Sequence, residues 1–475
     1  MPLYLKHNYL PISIMATVAY SVLPPPTSAQ AGPVAQADRL QNLDMLRGVA
    51  LLGILLMNIP GFALAERAFD AFRTDPHSAN FWTYAVVTVL FEGKMRALFS
   101  MLFGAGIVLF TMRKEQAGLP VAGLFYRRMG WLVLFGLIQA HLLLWMGDIL
   151  YFYGVGGMLA FLFRKLPARY LALGVPLVAI LGFVGSTVFY QHIRSTRFAY
   201  KAAQEAQHRQ QSLTAAQQEA ITAWVAMEKE FLPNNAEVDA HTRQMKSGYS
   251  EVAQRVRKES WDGQTKYLLL TIPDVLALML LGIALFKWGF FTGQWSTAKY
   301  LKTAAWGYGL GLPLVLWSFY LGYQRGVGVA SQIAFLESHA IVWSALIYPM
   351  QRILLVLAHS SVLLLLYRAG VWRSLMQRLA AVGQMAFTNY IMHTVFCTLI
   401  FFGYGLNYYA EMQYYQLYFV VAAIWVFQLI VSPIWLKYYL FGPLEWLWRS
   451  LTYWQVQPMR RTSAQAGPAP SLVAA

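Results

Sequence analysis

The stretch Leu43-Asp44-Met45-Leu46-Arg47-Gly48-Val49-Ala50-Leu51-Leu52-Gly53-Ile54-Leu55-Leu56-Met57-Asn58-Ile59 decides the fold. It is apolar almost throughout, and with its neighbours it reaches the roughly 20 residues that a membrane-crossing helix needs. Yet it carries Asp44, Arg47 and Asn58. Asp44 and Arg47 are spaced i,i+3. Asn58 follows Arg47 by eleven positions, which at about 100° per residue brings it within about 20° of the same helix face. From Arg47 to Asn58 the stripe runs roughly 16 Å. An inward polar stripe of this kind suits a lined cavity. The structural alternative is an acid favoured by the helix N-terminus and an arginine at the lipid headgroups.

The rest of the chain repeats the pattern. Of 475 residues only 12% are charged, 58% are hydrophobic and 15% aromatic, where a soluble domain has roughly 25% charged. The mean hydropathy is +0.44. A soluble globule could not hide so much apolar surface, so the fold class is all-α: a polytopic membrane helix bundle. Ten spans are expected, near 46–64, 95–112, 129–146, 149–164, 170–190, 267–288, 303–322, 349–367, 383–402 and 415–437. The stretch 330–348 reads as an amphipathic or re-entrant segment, or as an eleventh span. Cys397 is the single cysteine, so no disulfide or cysteine-rich metal site forms within one chain. No metal is expected.

The net charge is +16. In a membrane protein, basic loops on the cytoplasmic side account for such an excess. The basic residues form no continuous patch, and no nucleic-acid partner is expected. Arg113, Lys114, Arg127 and Arg128 lie between spans two and three; Arg164, Lys165 and Arg169 lie between four and five. Lys287, Lys299 and Lys302 follow span six, Arg368, Arg373 and Arg378 follow span eight, and Lys437, Arg449, Arg460 and Arg461 follow span ten. With ten spans all five clusters share one side with both termini. The positive-inside rule makes that side the cytoplasm of a bacterial inner membrane.

Residues 39–190 then hold spans one to five and residues 267–450 spans six to ten with an interface helix. Residues 191–266, polar and rich in helix formers such as Ala215–Glu230, read as a helical cap outside the membrane. Residues 451–475 form a cytoplasmic tail. Residues 1–38 resemble a signal peptide in Lys6, the apolar run from Tyr9 to Leu23 and Ser28-Ala29-Gln30-Ala31. Cleavage there would reverse every loop assignment, and Pro24-Pro25-Pro26 interrupts any helix. A loose tail, or an upstream start with Met15 as the true one, is the preferred reading.

Ionisable groups inside spans are costly and mark function by default, although many only join helices. Glu92 and Arg96 are spaced to pair, as are Glu445 and Arg449. His141 and Asp148 are seven apart, two turns on one face, and a histidine beside a carboxylate can act as a general base. Asn389, His393 and Cys397 share one face of span nine, with Gln384 and Thr388 on an overlapping line. No phosphate loop, His-Glu-x-x-His or Gly-x-Ser-x-Gly elbow occurs, which argues against an ATP-driven pump or a zinc protease.

Five blocks, in order, resemble the YeiB-like membrane proteins that carry the domain of unknown function DUF418. The first runs from Arg39 through Leu43-Asp44 and Leu46-Arg47-Gly48 to Asn58-Ile59. The second is Lys94 with Leu98-Phe99-Ser100-Met101-Leu102-Phe103-Gly104-Ala105-Gly106, the third Gly147-Asp148-Ile149-Leu150. Gly383-Gln384-Met385-Ala386-Phe387-Thr388-Asn389-Tyr390 is the fourth, and Gly442-Pro443-Leu444-Glu445-Trp446-Leu447-Trp448-Arg449 the fifth. The opening motif is also similar to that of a wider group of transmembrane acyltransferases, among them the heparan sulfate glucosamine N-acetylating enzymes and bacterial O-acyltransferases. That resemblance implies a cytoplasmic acyl-CoA donor and an acceptor on the far side, such as an envelope sugar. It also implies a histidine base, His141 or His77, and a role for Asn58. Asp44, Arg47, Asp148, Thr388, Asn389 and His393 become candidate substrate-binding residues. Arg47, with Arg113, Lys114, Arg127 and Arg128, would attract the donor phosphates, although orientation alone explains the loop residues. The lipid bilayer is an expected partner; self-association into a homo-oligomer is left open. A transporter without covalent chemistry, or an envelope scaffold using 191–266, are the other readings.

Overall fold

The structure is a computed structural model that describes residues 40–65, 73–116, 118, 120–231 and 235–461. The signal-like segment lies outside the described residues. Among these, every regular element is a helix, and the only β pairing is an isolated bridge between Tyr439 and Arg460. In chain order the helices are α1 (Gln41–Ala63), α2 (Ala79–Leu90), α3 (Lys94–Gln116), α4 (Ala122–His141), α5 (Leu150–Phe163) and α6 (Ala168–His208). Then come α7 (Ala215–Phe231), α8 (Asn235–Met245), α9 (Tyr249–Gln264), α10 (Leu268–Lys287), α11 (Thr297–Arg325) and α12 (Val329–Ser338). The last are α13 (Ser344–Arg368), α14 (Arg373–Gln384), α15 (Ala386–Phe401), α16 (Tyr414–Tyr438) and α17 (Pro443–Tyr453).

The ten expected stretches all coincide with helices. Among the described residues, seven segments are long and apolar enough to cross a membrane: α1, α2 joined to α3, α6, α10, α11, α13 and α16. The other three stretches fall on α5 and α15, apolar but short, and on α4, which carries Arg127 and Arg128 in its first two turns. The stretch at 330–348 forms the ten-residue α12, too short to span.

Helices in lipid gain little from apolar attraction and associate through close packing at small residues. This bundle does so at two crossings. A Cβ on Gly104 would stand 2.0 Å from the carbonyl oxygen of Met279, and one on Gly282 1.9 Å from that of Met101. These glycines let α3 and α10 touch backbone to backbone. Likewise a Cβ on Gly48 would meet the Leu379 carbonyl at 2.0 Å, and one on Gly383 the Asp44 carbonyl at 1.8 Å. That contact joins α1 to α14. Gly104 of the second block and Gly383 of the fourth therefore serve helix crossings.

The two ends of the bundle differ. At one end the basic side chains tie loops together: Arg164 pairs with Glu115 at 2.6 Å, Lys287 donates to the carbonyls of Arg164 and Leu166, and Arg368 to those of Gly293 and Trp295. This is the basic face. At the other end sits the cap. Arg257 and Tyr249 donate to the carbonyls of His141 and Leu142, and Gly403 N–H donates to Met245. The long helix α6 joins the membrane part to the cap. It has 41 residues, roughly 60 Å at 1.5 Å per residue, twice the hydrocarbon thickness. Its first half exposes Leu173, Leu177, Leu181 and Val188. Its second half holds α12 through Glu337, which accepts from Arg197 and Lys201, each at 2.8 Å. Those two bonds hold the Glu337 carboxyl below its ordinary value, Lys201 contributing most. In the cap, burial and then the nearby Arg255 lower His241 to about 4, so it is neutral at pH 7.

Candidate functional site

A cavity of about 250 Å³ opens near the basic face, between α1, α3, α4, α5, α15 and α17. Its inner wall is apolar, with Phe99, Phe103, Ile107, Leu132, Leu150 and Phe387 among the lining residues. Its polar residues are Asp44, Arg47, Arg128, Gln384, Glu445 and Arg449. All five sequence blocks contribute to its lining, although they are scattered over some 400 residues of chain.

Each polar group is set by a local cause. Asp44 and Arg47 lie one helical turn apart in the first two turns of α1 and pair at 2.7 Å. Arg128 lies in the second turn of α4, its guanidinium 3.7 Å from the centre of the Trp448 ring, while the indole N–H of Trp448 donates to the Arg128 carbonyl. This cation–π stack fixes the amphipathic α17 against α4. Glu445, in the first turn of α17, accepts hydrogen bonds from the backbone N–H groups of Phe387 (2.6 Å) and Thr388 (3.1 Å) and from the Thr388 hydroxyl (2.6 Å). The chain breaks between α14 and α15 at Met385, so the first N–H groups of α15 lack helical partners. A carboxylate at that positive helix end satisfies them. The Thr388 hydroxyl in turn accepts from Leu444 N–H at 3.1 Å. A Cβ on Gly442 would stand 2.2 Å from Glu445 Oε2, which is why glycine opens the fifth block. The fourth and fifth blocks are two halves of one lock.

The third block builds the inner end. Asp148 accepts from the N–H groups of Leu150 and Tyr151, both at 2.9 Å, and so caps α5. Tyr390 receives a bond from Ile149 N–H and donates to the Gly147 carbonyl. Beyond it Tyr153 contacts the Ser100 hydroxyl at 2.6 Å and donates to the Arg96 carbonyl.

The sequence-predicted residues divide. Asp44 and Arg47 line the cavity. Thr388 and Asp148 hold its walls in place from behind. Asn58 lies eleven residues further along α1 and does not line it. Asn389 and His393 grip α16: Asn389 donates to Ser432 and to the Val382 carbonyl, and His393 pairs with Gln428 at 3.0 Å. His141 stands at the cap end beside Gln264, at 3.0 Å. Tyr151, which directly follows the cavity-lining Leu150, donates to the Gln264 carbonyl, so His141 lies just behind the inner end. His77 is exposed at the cap end.

One expected pairing is corrected. Arg96 does not turn to Glu92; it bonds Asp274 at 3.0 Å, because α10 crosses α3 closely and presents that carboxylate. Arg352 holds the same carboxylate from α13 through both its terminal nitrogens. Glu92 instead accepts from the Tyr348 hydroxyl at 2.9 Å. Asp274 and Arg352 are visible in the sequence as charges within apolar stretches, and Lys94, buried to 1% exposure, donates to the Thr88 carbonyl beside them.

The family model described as a protein of unknown function, DUF418, matches residues 285–455. Bacillus subtilis (strain 168) Uncharacterized protein YxaH is 28% identical over 435 residues, 90% of this chain and 98% of its own length. Uncharacterized protein YeiB of Escherichia coli (strain K12) is 28% identical over 431 residues, 87% of this chain and 96% of its own. The chain is thus similar to the YeiB-like DUF418 proteins over most of its length. A 39.9 kDa protein from the amylase 3′ region of Bacillus acidopullulyticus is also similar, 26% identical over 425 residues, 89% of this chain and 96% of its own. No solved structure matches. The family match runs from the end of α10 to α17. The match thus contains both halves of the Glu445–Thr388 lock, while α1, α3, α4 and α5 supply the rest of the cavity. The apolar helices and the bacterial relatives fit a cell-membrane protein.

Proposed function

We propose that this protein is an integral membrane acyltransferase whose basic-face cavity holds an acyl donor of the CoA type. The carrying observation is the shape of that cavity: an apolar interior with Arg47, Arg128 and Arg449 among its polar lining. Apolar walls suit an acyl chain, and guanidinium groups suit a phosphate-rich head. In this reading the basic face and both termini are cytoplasmic, as positive-inside orientation demands. The acceptor, such as an envelope sugar, approaches from the cap end.

The chemistry is acyl transfer. The acceptor oxygen or nitrogen attacks the thioester carbonyl as a base takes its proton, and the carbon–sulfur bond breaks to release the CoA thiolate, which accepts that proton and leaves as the thiol. His141 is the better placed of the two candidate histidines. With its Nε2–H donated to Gln264 Oε1, its Nδ1 is the basic nitrogen. Asn58, in the cap-end half of α1, would hold the acceptor. Paired cavities at opposite ends, the second described below, also fit a permease with alternating access; ion-gradient-driven uptake into proteoliposomes would favour that reading instead.

Titration of a medium-chain acyl-CoA into the purified protein in nanodiscs tests the donor site. Saturable binding is expected. Arg47→Ala or Arg128→Ala should weaken it about tenfold, the loss of one charge-assisted contact. Absence of binding at millimolar thioester, with the protein folded, would remove the donor reading.

A further inference from the structure

A second cavity, of about 570 Å³, opens at the cap end between α2, the last turns of α11 and the first turns of α13. It lies within the range of small-molecule sites, about 300–1,000 Å³. No sequence block builds it, and apart from Glu92 nothing singled out in the sequence lines it. One wall is aromatic. Phe81 meets Phe319 at 6.0 Å and Tyr323 at 5.6 Å between ring centres, and Tyr84 meets Phe319 at 5.8 Å. The other wall is polar, with Glu92, Ser318, Tyr348 and Gln351. Two guanidinium groups complete the lining: Arg73, 4.7 Å over Tyr84, and Arg325, 4.2 Å over Phe335.

The two signs of charge select a ligand class. Aromatic faces beside a carboxylate attract an ammonium group. Guanidinium groups attract a carboxylate or phosphate. A simple anion would meet Glu92, and a simple cation would meet Arg73 and Arg325; such mismatches reject ligands of one sign. Glu92 is held in place by the Tyr348 hydroxyl through Oε1. Arg325 Nε is buried without a hydrogen-bond partner among the described residues.

We infer that this cavity binds a small zwitterion, an ammonium group and an acid group on one molecule. Free amino acids and lipid headgroups of the phosphoethanolamine type both carry that chemistry. The claim is one of binding and stands without the transfer reading.

The test uses the full chain in phosphatidylglycerol nanodiscs, which hold no zwitterionic lipid. Calorimetry compares O-phosphoethanolamine and serine with the half-ligands ethanolamine, inorganic phosphate and acetate. An intact zwitterion should bind at least tenfold tighter than either of its halves. Glu92→Gln should bring phosphoethanolamine down to the level of phosphate, and Arg325→Gln down to that of ethanolamine. Thermal melts check that the variants fold; if Glu92→Gln does not, Arg325→Gln decides alone. Nanodiscs that also contain phosphatidylethanolamine separate the sources: tenfold weaker phosphoethanolamine binding marks a headgroup site, and unchanged binding a soluble ligand. Halves that bind as tightly as the whole, or variants with unchanged preference, overturn the proposal. Acyl-CoA binding should survive both substitutions. Its failure in the unaltered protein, with phosphoethanolamine still bound, would remove the donor reading alone.

Discussion

Replacing Asp274 with Ala is expected to destabilise the bundle by about 3 kcal/mol, the lower end for a broken buried ion pair. One carboxylate serves two guanidiniums, Arg96 on α3 and Arg352 on α13. Arg352 is only 3% exposed, so without Asp274 its charge sits in the bundle uncompensated. The lower figure applies because the side chains of Arg96 and Asp274 remain about a third exposed, at 36% and 32%. Asp274→Asn keeps the hydrogen-bond acceptor and should cost less. Thermal unfolding in detergent, followed by helical circular dichroism, measures both. Equal stability of Asp274→Ala and the unaltered protein would show that the three residues do not form the buried cluster described.

Gly104→Val is expected to abolish folding, because a side chain there has no space at all. Its Cβ would lie 2.0 Å from the Met279 carbonyl oxygen, and backbone cannot swing aside as a side chain can. Forcing α3 from α10 costs about 3 kcal/mol or more, and it pulls apart walls that bear both the cavity and the Arg96–Asp274 pair. The control lies two residues on. A Cβ on Gly106 meets nothing within 4 Å, so Gly106→Ala should fold normally. The yield of monodisperse protein after size-exclusion chromatography separates the two outcomes. Comparable yields for both would mean that the close crossing is not made.

The fold was largely legible because lipid imposes a simple rule: apolar runs of sufficient length become helices. Two elements escaped it. Helix α2 has twelve residues, among them Asn80, Thr83 and Thr88, and resembles a loop in a search for spans. Helix α14 is polar on its outer face, with Arg373 and Arg378, so the expected span at 383–402 begins instead at Ala386. Of the site, Asp44 and Arg47 could be read from sequence, being charges in an apolar run. The Glu445–Thr388 lock could not, since its halves are 57 residues apart and the local Glu445–Arg449 spacing suggested a different bond. Asn389 and His393 show the converse. Their shared helix face is real, but it meets Gln428 and Ser432 of α16 rather than a cavity.

The five sequence blocks close around a pocket near the basic face whose apolar walls and arginines suit the proposed acyl donor. Photo-crosslinking with an acyl-CoA bearing a diazirine on its acyl chain addresses it directly. Adducts should fall on α3 and α4 around Phe103, Ile107 and Leu132, and unlabelled thioester should suppress them. Adducts confined to the lipid-facing surface of α6, or insensitive to unlabelled thioester, would contradict it.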